Sequence, residues 1–118
     1  MTLVEYNKFC KSLPHTNTFV QWGGAHVWKV AIKVFALGRE EDGFQVSFKC
    51  SRFSFDLLKT QKGLRPAPYL ASRGMSWIQY VSGESMDDDA LKDYLRESHR
   101  LASQNLTKKL QRELGFID

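Results

Sequence analysis

Between Lys49 and Arg73 the chain sets six cationic side chains, Lys49, Arg52, Lys59, Lys62, Arg65 and Arg73, against one carboxylate, Asp56. Ammonium and guanidinium groups gathered in this way can neutralise phosphates, so the segment has the pattern of a footprint for a polyanion. The flanks do not share the imbalance. Residues 1–48 hold five Lys and Arg against four Asp and Glu, and from Gly74 onward the balance is six against eight. Lys29 and Lys33 extend the basic surface from a neighbouring hairpin. The expected nucleic-acid contacts are therefore Lys29, Lys33, Lys49, Arg52, Arg65 and Arg73. Such contacts supply affinity while carrying little sequence information, so binding would be salt-sensitive and weakly specific. The competing reading of the same residues is a set of solvated cations on a helix and its loops.

Other chemistry finds less support. Cys10, Cys50, His15, His26 and His99 show no spacing of the kind zinc sites use. Cys50 and His26 form a nucleophile pair only if the fold brings them together. Gly23-Gly24 marks a turn, and no phosphate-cradling glycine motif is present. Asp87, Asp88 and Asp89 suit the first turn of a helix, where carboxylates meet the positive end of the dipole. Trp22, Trp28, Tyr69 and Trp77 offer faces on which bases stack, yet strand aromatics also fill cores, and Trp28 alternates with Lys29. The reading is a non-enzymatic protein with no cofactor and no metal.

The elements that position these residues follow from periodicity and turn chemistry. Thr2 and Glu5 make a capping box ahead of Leu3, Tyr6, Phe9, Cys10 and Leu13 at helical spacing, and Pro14 ends that helix. "FVQW" is a short extended piece, and "HVWKV" and "KVFAL" read as a hairpin. Asp42-Gly43 turns the chain into "FQVSFKC", with Phe44, Val46 and Phe48 on one face. Ser54 is expected to cap the short helix "FDLLKTQK", which Gly63 stops, and the two prolines of "LRPAPY" argue against a ladder there. In "MSWIQYV", Trp77 and Gln79 face opposite to Ile78 and Tyr80. Ser85 with Asp88 is expected to open a long C-terminal helix that bends or breaks near Asn105, its stripe running from Leu91 to Leu114. Trp77, Leu91, Tyr94 and Leu95 are expected to share a core with Phe44, Val46 or Phe48. Lys108 and Lys109, on that helix among carboxylates, are expected to stand apart from the basic surface.

This order is not a regular βαβ alternation. It predicts an α+β fold over residues 1–118, a single domain with an antiparallel sheet of about four to five strands and N-terminal, central and long C-terminal helices on one side. A chain of 118 residues with 42% hydrophobic and 25% charged residues belongs to the ordinary globular class. The N-terminus lacks a signal-peptide h-region, no stretch is long and apolar enough for a membrane span, and two isolated cysteines read as reduced thiols. A cytoplasmic, monomeric protein with DNA as its partner and no membrane association is expected.

The succession "KVFAL", "VSFKCS", "RPAPYL", "SWIQYV" and the long C-terminal helix resembles the MmcQ/YjbR family of small bacterial proteins. Two departures stand out. Val30-Ala31-Ile32 occupies a hairpin where members often carry glycine, and His99 follows Ser98 where tyrosine is usual. The resemblance implies a frataxin-like α+β fold, described as a "double wing" and proposed to bind DNA, with no agreed catalytic residues to carry over. The alternative, from another class, is a protein- or small-ligand-interaction module whose partner docks at "RPAPYLASRGMSW", Arg65 to Trp77.

Overall fold

The computed structural model describes every residue except Trp22, so the stacking role considered for that residue lies outside the described residues. The chain runs α1 (Leu3–Lys11), β1 (Thr16–Val20), β2 (His26–Val30), β3 (Lys33–Glu40), β4 (Phe44–Lys49), α2 (Arg52–Leu58), β5 (Leu64–Pro66), a 3₁₀ turn (Ala71–Arg73), β6 (Trp77–Tyr80), α3 (Asp88–Gln104) and α4 (Lys108–Glu113). The strands form one six-stranded antiparallel sheet in the order β1-β2-β3-β4-β6-β5. The fold class is the expected α+β. The sheet exceeds the expected four to five strands because Leu64–Pro66 pairs with β6. Two prolines did not prevent this, since β5 is an edge strand, where a missing N–H costs no ladder bond.

One face of the sheet carries the core. Phe44, Val46 and Phe48 of β4 and Ile78 and Tyr80 of β6 pack against Tyr6 and Cys10 of α1, Phe55 and Leu58 of α2, and Leu91 and Leu95 of α3. Tyr94 stacks on Phe48 with ring centroids 5.6 Å apart. Trp77 does not join them. It is buried, but it pairs in register with Lys49 on the opposite face, as the two-residue alternation with Ile78 requires.

The local signals were mostly legible and were wrong in two instances. Thr2 and Glu5 form the reciprocal capping box. Helix α2, however, is capped by Ser51, whose Oγ accepts from the Ser54 N–H at 3.0 Å, so Ser54 lies inside the helix. Helix α3 is capped by Asp87, which accepts from Ala90 N–H at 2.8 Å, in place of Ser85. A carboxylate at this end gains from the helix dipole as well as the hydrogen bond. The break near Asn105 is real, and Thr107 caps the separate α4.

The helix–sheet junction is polar. Ser98 is fully buried, donating to the Phe35 carbonyl at 2.7 Å and accepting from the Lys49 N–H at 2.8 Å. Phe35 is the extra residue in β3 where the pairing with β2 shifts register. His99 donates from Nε2 to the Pro14 carbonyl at 2.8 Å, tying α3 to the turn after α1. Burial is the main cause that holds the His99 pKa below its ordinary value, opposed by this hydrogen bond and reinforced by His15. Both cysteines are buried and unpaired, and burial raises the Cys50 thiol to about 11.

Two backbone positions give opposite expectations. Ala31, in the hairpin between β2 and β3, adopts φ 52°, a left-handed geometry that alanine tolerates poorly. Ala31→Gly should stabilise the protein by roughly 0.5–1 kcal/mol, read as a shifted denaturation midpoint. A Cβ on Gly38 would lie 2.5 Å from the Tyr6 ring, whose hydroxyl donates to the His26 carbonyl at 2.9 Å. Gly38→Ala should therefore cost about 1–3 kcal/mol.

His99 sets a pH dependence. Its folded pKa lies below the unfolded value, so the unfolded chain takes up the proton first as pH falls. Melting temperature should decline as pH drops below about 6.5, and His99→Gln should flatten that decline. An unchanged profile in the variant would remove His99 as its cause.

Candidate nucleic-acid interface

The strand registers decide which of the six expected cations lie together. Lys33 opens β3 and pairs with Val30, one residue beyond Lys29. Lys49 closes β4 opposite Trp77, where β6 begins. Arg52 opens α2 three residues later, and Arg73 ends the 3₁₀ turn between the last residue of β5 and the first of β6. Five of the six residues therefore stand at one end of the sheet. Arg65 does not, because it sits mid-strand on β5, in register with Gln79.

Their individual surroundings differ. Lys29 Nζ lies 4.8 Å from the centre of the Phe19 ring, a cation–π contact that leaves the charge near the surface. Arg52 is the most engaged, with its Nε 3.5 Å from Asp56 and its guanidinium over Phe55. Lys59 also pairs with Asp56, whose carboxyl is held below its ordinary pKa first by the Lys59 hydrogen bond. These pairs are exposed and contribute little to stability. Lys108 and Lys109 begin α4, shortly after Ala102 and Asn105, which line a cleft with Lys33 and Lys49.

The opposite end is acidic. Glu40, Glu41 and Asp42 form the β3–β4 turn, and Asp87, Asp88 and Asp89 lie beside Tyr80 at the end of β6. The Asp88 charge, after burial, helps raise the Tyr80 pKa. The molecule is thus polarised along its strands.

The sheet's second face holds residues that the charge pattern did not single out. Arg39, Gln45, Ser47 and Gln79 alternate with core residues and, with Arg65, line a cleft of about 520 Å³ flanked by Pro68–Leu70, Gln21 and Ala25. Arg65 Nε donates to Gln79 Oε1 at 2.6 Å. A second cleft of about 420 Å³, towards the basic end, is lined by Lys33, Lys49, Met75 and Trp77 and shares Gln21, Leu37 and Leu70 with the first. Sequence shows that β4 has a polar face, but only the flanking connections make that face concave.

Nucleophilic chemistry gains nothing from the fold. His26 and Cys50 are separated by one intervening strand, β3, and four residues of register. Among the described residues no three His, Cys, Asp or Glu side chains gather as a metal site needs, and no helix is long and apolar enough to cross a membrane. Of the stacking candidates, Trp28 is buried and donates to Asn7 Oδ1 at 2.9 Å, Trp77 is buried, and Tyr69 is 85% exposed.

The fold and the order of these elements define a class. The chain belongs to the YjbR family, whose model matches residues 11–101. Among solved structures it is similar to protein DR2400 of Deinococcus radiodurans, described as carrying domain DUF419. That similarity has a TM-score of 0.84 and 22% identity and covers 97% of this chain and 88% of that one. A protein from Pseudomonas syringae matches with a TM-score of 0.69 and 14% identity, covering 86% of this chain and 99% of its own. At these identities the structures speak for the fold alone. No curated protein matches.

The two buried tryptophans make a contrast. Trp28 has its partner, whereas Trp77 Nε1 has none among the described residues. An unpaired buried donor already costs about 1–3 kcal/mol, so its removal recovers part of the packing lost. Trp77→Phe should destabilise less than Trp28→Phe, which orphans Asn7 Oδ1, by about 1 kcal/mol in chemical denaturation.

Proposed function

We propose that the chain is a non-enzymatic DNA-binding protein that meets the phosphate backbone with the basic end of its sheet. The observation that supports this is the gathering of Lys29, Lys33, Lys49, Arg52 and Arg73, distant in sequence, at the ends of β2, β3, β4 and β6. Lysines at this spacing act as point charges towards phosphate and do not read bases, so the binding is sequence-tolerant. The acidic turn at Glu40–Asp42 and the carboxylates at the start of α3 repel the same polyanion, which orients the protein as it approaches. This reading differs from the sequence-based one in two respects. Arg65 leaves the interface, and of the two hairpins expected to make contact only β2–β3, which carries Lys29 and Lys33, is kept. The β1–β2 turn carries no cation between Gln21 and Ala25, and the β3–β4 turn is acidic.

The salt dependence of duplex affinity tests the reading. Log affinity should fall linearly with log salt, and Lys33→Ala with Lys49→Ala should flatten the slope by about two, at roughly 0.9 per phosphate contact. Lys62→Ala with Lys92→Ala removes equal charge away from the basic end and should leave the slope nearly unchanged. Equal slopes for the two double variants, or no salt-dependent binding by the unaltered protein, would discard the interface.

A further inference from the structure

An antiparallel sheet with one polar face is ordinarily solvated on that side. Here that face is walled instead: Gln21, Ala25 and the Pro68–Leu70 segment flank the cleft of about 520 Å³, a volume within the range small-molecule sites occupy. Four adjacent strands supply its floor in continuous register: Leu37 of β3 opposes Ser47 of β4, which opposes Gln79 of β6, which opposes Arg65 of β5.

The floor is rich in donors. Ser47 is 7% exposed and lines the cleft, so its hydroxyl can reach a bound group. Gln79 spends its Oε1 on the Arg65 Nε–H at 2.6 Å, so the amide presents its NH₂ to the cleft. Arg65 has committed one donor of its fork to Gln79, leaving its terminal nitrogens free to take a second oxygen. Across the floor, Arg39 has only a loose contact with Glu41 at 3.5 Å.

The wall is held in a strained form. Leu70 N–H donates to the Pro68 carbonyl at 2.8 Å, closing a three-residue γ-turn with Tyr69 at φ 67°. A tyrosine in this region is costly and persists only where its surroundings enforce it, and such residues cluster at ligand clamps.

We propose that this cleft binds a small molecule through an oxyanion group, a carboxylate or a phosphate, held by Arg65, Gln79 and Ser47, with Arg39 approaching from the opposite side. A guanidinium fork, an amide NH₂ and a hydroxyl that can turn its proton inward can all donate to one group, which is the complement of an oxyanion. Glu41 and Asp42 also line the cleft, beside Arg39, so the oxyanion is assigned to the Arg65 side, and a volume of about 520 Å³ suits a small molecule and not a polynucleotide. The site is therefore separate from the basic end of the sheet.

The test is an NMR titration of the ¹⁵N-labelled full chain with inorganic phosphate and, separately, acetate, at constant ionic strength set with chloride. One of the two anions should move the Gln79 side-chain amide and the Ser47 backbone amide saturably, and which anion does so identifies the oxyanion. Arg65→Gln, an exposed position on an edge strand, should weaken that binding by about tenfold, as expected for loss of a charge-assisted contact. Arg65→Lys should restore part of it. Lys33→Ala with Lys49→Ala should leave the titration unchanged, which separates this site from the DNA reading. No saturable shift with either anion overturns the proposal. So do shifts that survive Arg65→Gln, or shifts lost with Lys33 and Lys49.

Discussion

Everything in this fold is arranged around one buried hydroxyl. At the register shift beside Phe35 the ladder between β3 and β4 ends, leaving a carbonyl on one strand and an N–H on the other away from water. Either group unpaired would cost about 1–3 kcal/mol. Ser98 satisfies both from α3, and the helix is thereby fixed in position along the strands. Leu91 and Leu95 then fall over the sheet on one side of Ser98, and on the other side His99 reaches the Pro14 carbonyl. An aliphatic residue at position 98 would fill the volume and leave two backbone groups unsatisfied, so the core is specified by polarity here and not by shape alone.

The direction of α3 has electrostatic consequences. Its N-terminus, capped by Asp87 and followed by Asp88 and Asp89, lies at the end of the sheet where the β3–β4 turn is acidic. The carboxylates there are stabilised locally by the helix's own positive pole. Its C-terminus points towards Lys33 and Lys49. Helix capping, a matter of local stability, and the segregation of charge, a matter of partner recognition, therefore use the same residues. The two candidate surfaces sort accordingly: lysines dominate the end of the sheet, whereas an arginine, an amide and a hydroxyl furnish its open face.

Sequence reading succeeded where one physical cause dominates. The alternation of Phe44, Val46 and Phe48, the Thr2–Glu5 box and the Asp42-Gly43 turn each depend on neighbours within a few residues. It also recovered the family, because five separated motifs in a fixed order carry more information than any one of them. It failed where two local solutions compete, as at Ser51 against Ser54 and Asp87 against Ser85, since each pair offers an acceptor near the helix start. It failed again where distance in sequence hides proximity. Arg39 lies in a stretch of mixed charge, and Gln45, Ser47 and Gln79 look like ordinary solvent-facing positions. Nothing in their order announces that Pro68–Leu70 come to lie against them. Arg65 was picked for its charge, but its neighbours and not its sign determine what it can do.

The polarised charge also changes what the isoelectric point means for this molecule. At a pH near the sequence value of about 9.2 the net charge vanishes because opposite charges balance, not because they are absent. The two ends of the sheet then still carry opposite signs. On a chromatographic resin such a particle behaves as an electric dipole and not as a neutral body: a cation exchanger retains it by one pole and an anion exchanger by the other. Retention past the isoelectric point, on either medium, follows from the direction in which one helix was laid across one sheet.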